Sequence, residues 1–346
     1  MKKSLLLAPL TALLAVHPLS AQDTEKAAHP SPNAIVAAAP ASDWVTIKSS
    51  DLLVMDLAPD AKGDARRVII QLMPEPFSQG WIHNIRKLAK AHWWDSTSIN
   101  RVQDNYVVQW GDAGYDNPES GELEQKALPL DLETVKESEY ETLVAGQLRE
   151  VLQKRDKHIE EFLGKESGFD SLAAAMRFIL SRYDPYSRGN LYYRGWPIAL
   201  GKKPTTAWMP HCYAMVGVGR NYSPDTGSGA ELYTVIGHAP RHLDRNIALV
   251  GRIIEGMEHL SSLPRGKGEL GFYADASKRV SIQSIRLGNE LAEEPTPAFE
   301  YLNTNSEVFA KYADTRANRR DPFFIKPAGG ADICNIPVPV RRVKAK

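Results

Sequence analysis

The sequence predicts a mainly β protein whose short strands close into a barrel or stack as a sandwich, interrupted by a block of helices. Three observations carry that reading. Short apolar runs such as "LLVMDLA", "RRVIIQLMP" and "YVVQW" recur, with turn-forming segments such as "PDAKGDA" between them. Further runs of the same kind return later in the chain, "ELYTVIG" and "RVSIQSIRL", which suggests a closed barrel or sandwich rather than a parallel sheet. Between the two sets lies a more polar stretch whose apolar residues fall three or four apart.

The 346 residues are enough for one large domain with additions or two modest ones. Lys+Arg and Asp+Glu balance at 42 each, so no global field draws the chain toward nucleic acid or an acidic surface. The basic run "RRVKAK" at the end reads as a solvated tail.

Residues 1–21 read as a signal peptide: Lys2 and Lys3, an apolar run from Leu5 to Val16, then Leu19-Ser20-Ala21 before a cleavage point. That run is short for a membrane span, and an exported protein, periplasmic after cleavage, is expected. Residues 22–42, rich in Ala, Pro and Ser, read as a flexible leader, with order beginning near Asp43-Trp44.

Residues 43–112 form the first part of the β framework. After two strands, "PFSQGWIHNIRKLAKAHWW" places Trp81, Ile82, Ile85, Leu88 and Ala89 on one helical face, with Ser78 as its N-cap. "SINRV" and "YVVQW" return to strand composition. Residues 113–200 are expected to be a mostly helical insertion. One helix carries Leu148, Val151, Leu152, Ile159, Phe162 and Leu163 on a stripe and stops at Gly164; a second, capped by Asp170, carries Leu172, Met176, Ile179 and Leu180. The aromatic cluster "RYDPYSRGNLYYRGW" at its end reads as packing, with a partner surface as the alternative. The β pattern resumes with "GWPIAL", and residues 201–291 carry the β framework on through "TAWMPHCYAMVGVG" to "RVSIQSIRL", with "EGMEHLSSL" a short helix. Residues 292–346 are a C-terminal extension: a helix from Ser306 to about Asn318 with Val308, Phe309 and Tyr312 on its apolar side, then a Pro-rich apolar segment expected to drape over the barrel.

Cys212 and Cys334 are the two cysteines. An oxidising compartment permits a disulfide, but sequence leaves open whether they meet or whether Cys212 is a small buried strand residue.

Two blocks carry a family resemblance. "RRVIIQLMPEPFSQGWIHNIRKLAKA" through "SINRVQDNYVVQWGD" is similar to a strand, a helix and an F-H-R-V…G-F-x-x-Q-G-G-D run; "YAMVGVGRNYSPDTGSGAELYTVIGHAPRHLDRNIALVGRIIEGMEHL" is similar to an S-M-A…G-S-Q-F-F-I…L-D…V-F-G-x-V-x-x-G-M run. Together, covering about a third of the chain, they resemble the cyclophilin family of peptidyl-prolyl cis-trans isomerases. The resemblance implies a cyclophilin-like closed antiparallel β-barrel with flanking helices. It places Arg101 on the catalytic arginine, Tyr106 and Tyr233 on the two phenylalanines of the proline pocket, and Val107 on the methionine beside the first. Gln109 falls on the pocket glutamine and Leu243 on the pocket leucine. Val216 and Gly217 replace an Ala-Asn pair that hydrogen-bonds substrate backbone, Glu231 replaces a glutamine, His242 a tryptophan or histidine, and Ile247 a histidine or tyrosine. Glu231 is expected to bring a carboxylate near Arg101, and the two tyrosine hydroxyls need partners.

These residue types suit the implied chemistry. Rotating an X–Pro amide breaks no bond and moves no proton, so neither nucleophile nor cofactor is needed. The obstacle is a resonance barrier of about 18–20 kcal/mol. A fixed arginine can hold the carbonyl or the prolyl nitrogen as the amide twists, while an apolar slot grips the ring. His238 and His242 sit four apart in "HAPRH", but Pro240 opposes a helix and the ligands are too few for zinc, so no metal is expected. "GVGRNY" lacks the last glycine of a dinucleotide loop and reads as a turn. The expected function is acceleration of X–Pro rotation in proline-containing unfolded or partly folded exported chains, in protein folding. The alternative is a non-catalytic peptide-binding or chaperone protein that uses the same groove or the insertion.

Overall fold

The computed structural model describes residues 29–114, 124–153, 184–201, 206–291 and 298–343. The signal-peptide segment and the helix expected from Asp170 onward lie outside the described residues, as does the second half of the helix before it.

Fifteen strands are described, in three sheets. In chain order they are β1 (Trp44–Ile47), β2 (Leu52–Leu57), β3 (Arg66–Leu72), β4 (Ser98–Val102), β5 (Val107–Gly111), β6 (Thr142–Leu143), β7 (Gly189–Tyr193), β8 (Trp196–Leu200), β9 (Thr206–Trp208), β10 (Met215–Val218), β11 (Leu232–Val235), β12 (Leu249–Glu255), β13 (Val280–Leu287), β14 (Phe299–Leu302) and β15 (Val340–Arg342). Eight of them close a barrel in the order β10-β11-β5-β4-β13-β2-β3-β12. Neighbouring strands pair antiparallel around the ring. Closure gives every barrel strand a neighbour on both sides, although β4 meets β13 only at Ser98 and Ile99.

Alternation along each strand sorts the side chains. On β2, Leu53, Met55 and Leu57 join the main core with Val68, Ile70 and Leu72 of β3. Leu52 and Val54 point the other way, with Ile69, and meet Ile47 and Phe299. That outer layer is the sheet β1-β14-β15, which covers β2 and explains why "LLVM" is apolar on both parities. The helix Gln79–Lys90 packs as its spacing predicts, with Trp81, Ile82, Ile85, Leu88 and Ala89 buried. Ser78 does not cap it: the residue is left-handed at φ 54 and its side chain makes no capping bond.

Several expectations are corrected. Part of the leader is ordered: Pro32–Ala37 is a helix whose N-cap Ser31 accepts from the Ala34 amide. Ile35 is buried in a cluster with Phe309 and Tyr312, so the helix is held by residues from the far end of the sequence rather than by its own six residues. The described part of the insertion is not mostly helical but mixes short helices, short strands and irregular chain. Residues 146–153 are helical, with Leu148 and Leu152 buried. Elsewhere a four-stranded sheet forms in the order β6-β9-β8-β7. The aromatic cluster packs, with Tyr193 and Trp196 buried and the Tyr192 hydroxyl donating to the Ile336 carbonyl at 2.8 Å.

The C-terminal helix forms as expected, Glu307–Ala317, its N-cap Ser306 accepting from Phe309. The following segment packs only in its second half: Phe323 and Ile325 are 85% and 95% exposed, whereas Ile333 and Val338 are buried. Contact with the barrel is made by Val340, which meets Leu52, Val54 and Ile69, and by a disulfide between Cys212 and Cys334, with Cα atoms 5.0 Å apart. Cys212 precedes β10 rather than lying on it. The bridge spans 122 positions, and a cross-link of that reach restricts the unfolded chain strongly. Reduction is expected to lower stability by about 2–5 kcal/mol. Urea unfolding with and without reductant measures this; coincident midpoints would refute it.

Candidate functional site

The site is one lateral row of side chains on the outer face of the barrel. Arg101 on β4 pairs across to Gln109 on β5, Gln109 to Tyr233 on β11, and Tyr233 to Gly217 on β10. Alternation sets the face: Val108, Trp110 and Leu232 point into the barrel core, while Val107, Tyr233 and Val235 gather outside with Tyr106 and Ile247. Residues directly opposite across antiparallel strands lie close enough to interact. The Arg101 guanidinium donates to Gln109 Oε1 at 3.1 Å. It also donates to Gln103 Oε1 and, through Nε, to the Leu270 carbonyl at 2.8 Å.

Loops wall the row on both sides. The segment from Gly219 to Ala230 is tied to the barrel helix and the turn after it. Trp81 Nε1 donates to the carbonyls of Thr226 and Gly227, Asn84 Nδ2 to that of Ser228, and Trp94 Nε1 to that of Ala230. On the opposite side, residues 264–273 fold onto β4: the Gly266 amide donates to the Val102 carbonyl and the Tyr273 amide to that of Asn100. This brings the Phe272 ring to 5.5 Å from Arg101 Cζ, with the Tyr106 ring at 5.9 Å. Both lie within cation–π range.

The result is a cavity of about 390 Å³. Arg101, Tyr106, Val107, Gln109, Glu231, Tyr233 and Leu243 all line it, with Ile247. Val216, Gly217 and His242 do not: Val216 is fully buried in the barrel core, Gly217 lies beneath Tyr233, and His242 is exposed on the turn after β11. Glu231 is buried, with its carboxylate packed against Gly111, where a Cβ would stand 2.1 Å from Oε1. Sequence reasoning missed Phe272 and Leu270, which come from "GELGFY", a stretch without periodicity or motif. Burial pushes the Tyr106 hydroxyl above its ordinary value despite Arg101, so a neutral phenol faces the cavity.

The Tyr233 hydroxyl points away from solvent into a buried polar chain. Its oxygen lies 2.9 Å from His211 Nε2, and His211 Nδ1 lies 2.9 Å from Asp244 Oδ1. Asp244 also accepts from the His211 amide, from Trp208 Nε1 and from Arg241 Nε at 2.6 Å. Arg241 reaches Asp184 at 2.8 Å, which accepts from Ser187 and the Tyr186 amide. His211, Asp184, Arg241 and Asp244 are each at most 3% exposed. Burial acts to raise both carboxyls, yet their hydrogen bonds and Arg241 hold them below the usual range. His211 moves down because burial outweighs Asp244. Of these residues only Asp244 had a signal in the sequence, as the aspartate after Leu243 in the L-D pair.

The comparisons with known proteins agree with this architecture. The family described as cyclophilin type peptidyl-prolyl cis-trans isomerase/CLD matches residues 63–287. A search of curated protein sequences found no match. Among solved structures, the cyclophilin AquaCyp293 from Hirschia baltica is 18% identical, with 88% of this chain and 94% of that chain covered at a TM-score of 0.55. It shares the fold. A cyclophilin-type peptidyl-prolyl cis-trans isomerase from Cryptosporidium parvum, solved in the presence of the dipeptide Ala-Pro, is 10% identical over 68% of this chain and 98% of that one, at a TM-score of 0.33.

The carboxylates Asp184 and Asp244 stabilise the fold above their ordinary values of about 3.9, and that contribution is lost as pH falls through their lowered folded values. Arg241→Met leaves both buried without their cation, so a loss of about 3–5 kcal/mol is expected at pH 7. The deficit should shrink toward pH 5, because protonation relieves the uncompensated charge. Denaturant midpoints at the two pH values measure it, and a deficit under about 1 kcal/mol at pH 7 would refute the ion-pair account.

Proposed function

The chain belongs to the cyclophilin-type peptidyl-prolyl cis-trans isomerase family, and from that premise we propose that Arg101 and the cavity beside it accelerate X–Pro rotation in exported polypeptides. The observation that carries the reading is the row itself: a half-buried guanidinium fixed by Gln109, Gln103 and the Leu270 carbonyl, at the rim of a slot walled by Tyr106, Tyr233, Leu243 and Phe272.

The geometry fits a reaction without proton transfer. An X–Pro amide needs its carbonyl held and its ring gripped while the C–N bond twists, and a planar, permanently charged fork can interact with the twisted state throughout. Because the fork is positioned in advance, little reorganisation accompanies the twist. An acceleration of about five decades lowers the barrier by roughly 7 kcal/mol. One charge-assisted hydrogen bond contributes around 1.5–3 kcal/mol. The remainder must come from the apolar slot, which excludes water and holds the ring against Tyr233 and Leu243.

Two observations support export. Lys2-Lys3 and the apolar run before Ala21 have the order of a secretory signal. The Cys212–Cys334 bridge suits an oxidising compartment. The proposed role there is folding of proline-containing chains.

A protease-coupled isomerisation assay on a proline tetrapeptide tests the activity. Arg101→Ala is expected to lower kcat/KM by about 10–150-fold, the equivalent of that one charge-assisted bond. Equal rates for the two proteins would overturn the catalytic assignment, and peptide binding without acceleration would favour a binding protein.

A further inference from the structure

We propose that His211 is a positioning residue for the proline slot: held by Asp244, it accepts the Tyr233 hydroxyl and fixes that ring against β10, setting affinity for the prolyl ring. The inference rests on the isomerase reading above for the identity of the ligand, and on geometry for the rest.

The direction of the hydrogen bonds follows from charge and burial. Asp244 is ionised, so it only accepts, and the proton between it and His211 must sit on Nδ1. Burial keeps the imidazole neutral, which leaves Nε2 bare. The phenol, pushed well above its ordinary value by burial, keeps its proton and donates it to Nε2 at 2.9 Å. Asp244 in turn is fixed by Trp208 and Arg241, and Arg241 by Asp184. The chain therefore ends on rigid, buried groups rather than in solvent.

The slot depends on where this chain puts the ring. A Cβ on Gly217 would lie 2.4 Å from the Tyr233 hydroxyl oxygen, so the ring rests directly on the backbone of β10. Tyr233 is 5% exposed and still lines the cavity. Deprived of Nε2, its hydroxyl would be buried without an acceptor, and the escape from that penalty is rotation of the ring toward the cavity. Such a ring occupies space that the proline needs.

The test is a double-substitution cycle between His211 and Tyr233 with the proline tetrapeptide. His211→Leu, which offers no acceptor, is expected to raise KM about fivefold, close to 1 kcal/mol of binding, and to change kcat by less than about twofold. Tyr233→Phe carries its own effect. In that background, adding His211→Leu should change KM by less than about twofold, because the hydroxyl through which it acts is gone. A fivefold effect that persists in the Tyr233→Phe background would overturn the proposal and assign His211 to general stability. If the native protein binds the peptide without turnover, the isomerase reading fails, and the same cycle is read in Kd. A separate measurement needs neither variant nor activity: nitrogen NMR of the native protein at pH 7 should show His211 protonated at Nδ1 and bare at Nε2. The opposite tautomer, or a doubly protonated ring, would overturn the proposal even if the variants fail to fold.

Discussion

The carboxylate of Asp244 is the constraint on which the rest of the arrangement depends. It gathers four donors: two from His211, one from Trp208 and one from Arg241. These belong to β9, to the segment joining β9 to β10, and to the turn after β11. Through Arg241 the chain reaches Asp184, just before β7. One buried anion thus locks the four-stranded sheet to the barrel beside the slot. Continuing past His211, the next residue is Cys212, whose bridge to Cys334 attaches the C-terminal extension at the same place. Three parts of the chain therefore converge behind one wall of the cavity.

Such a cluster is an expensive way to gain stability. Each ion loses several kcal/mol of hydration on burial, and an apolar replacement of equal volume is often as stable or more so. What it supplies is direction. An apolar cluster tolerates several packings, whereas a carboxylate with four donors accepts one arrangement of its neighbours. For a cavity wall that must hold the Tyr233 ring in one orientation, directional contacts behind it are a physical reason to keep charges there. The Arg101 side of the row is held in another way: the contacts of the guanidinium include two side-chain amides, Gln109 and Gln103, and the Leu270 carbonyl, which together fix its plane at the rim of the cavity.

Much of this fold was legible in the sequence, for reasons that differ by element. The barrel strands and their helix show through because alternation and the 3.6-residue period are local signals, and Trp81, Ile82, Ile85, Leu88 and Ala89 bury as their spacing requires. The helix Pro32–Ala37 was invisible because its stability comes from Ile35 packing on Phe309 and Tyr312, which no local window contains. β7 was hidden in a region read as helical because its signal is two residues long: Arg194 and Gly195, both at positive φ, turn it into a hairpin with β8. At the site, Arg101, Tyr106, Gln109 and Tyr233 were found because two contiguous blocks carry them. His211 and Asp184 lie 33 and 57 positions from their partners in the turn after β11, without a pattern to mark them. Polar contacts of that kind are set by tertiary structure alone.

The departures from the family pattern also read differently once the geometry is known. Taken singly, glycine at 217 is the loss of an amide side chain, and tyrosine at 233 is a phenylalanine with an extra oxygen. In the structure they are one change. The added hydroxyl occupies the space where a Cβ on residue 217 would stand, 2.4 Å away, so any larger residue there is incompatible with this ring position. That hydroxyl then needs an acceptor inside the protein, and His211 provides it at 2.9 Å. Room, hydroxyl and acceptor come from β10, β11 and the segment before β10, and each is a defect without the other two: a gap, a clash or an unsatisfied imidazole. Counting substitutions against a family pattern would score them as three losses. Their mutual fit makes them one self-consistent wall of the cavity, while the Arg101 side of the row keeps the pattern at both Arg101 and Gln109.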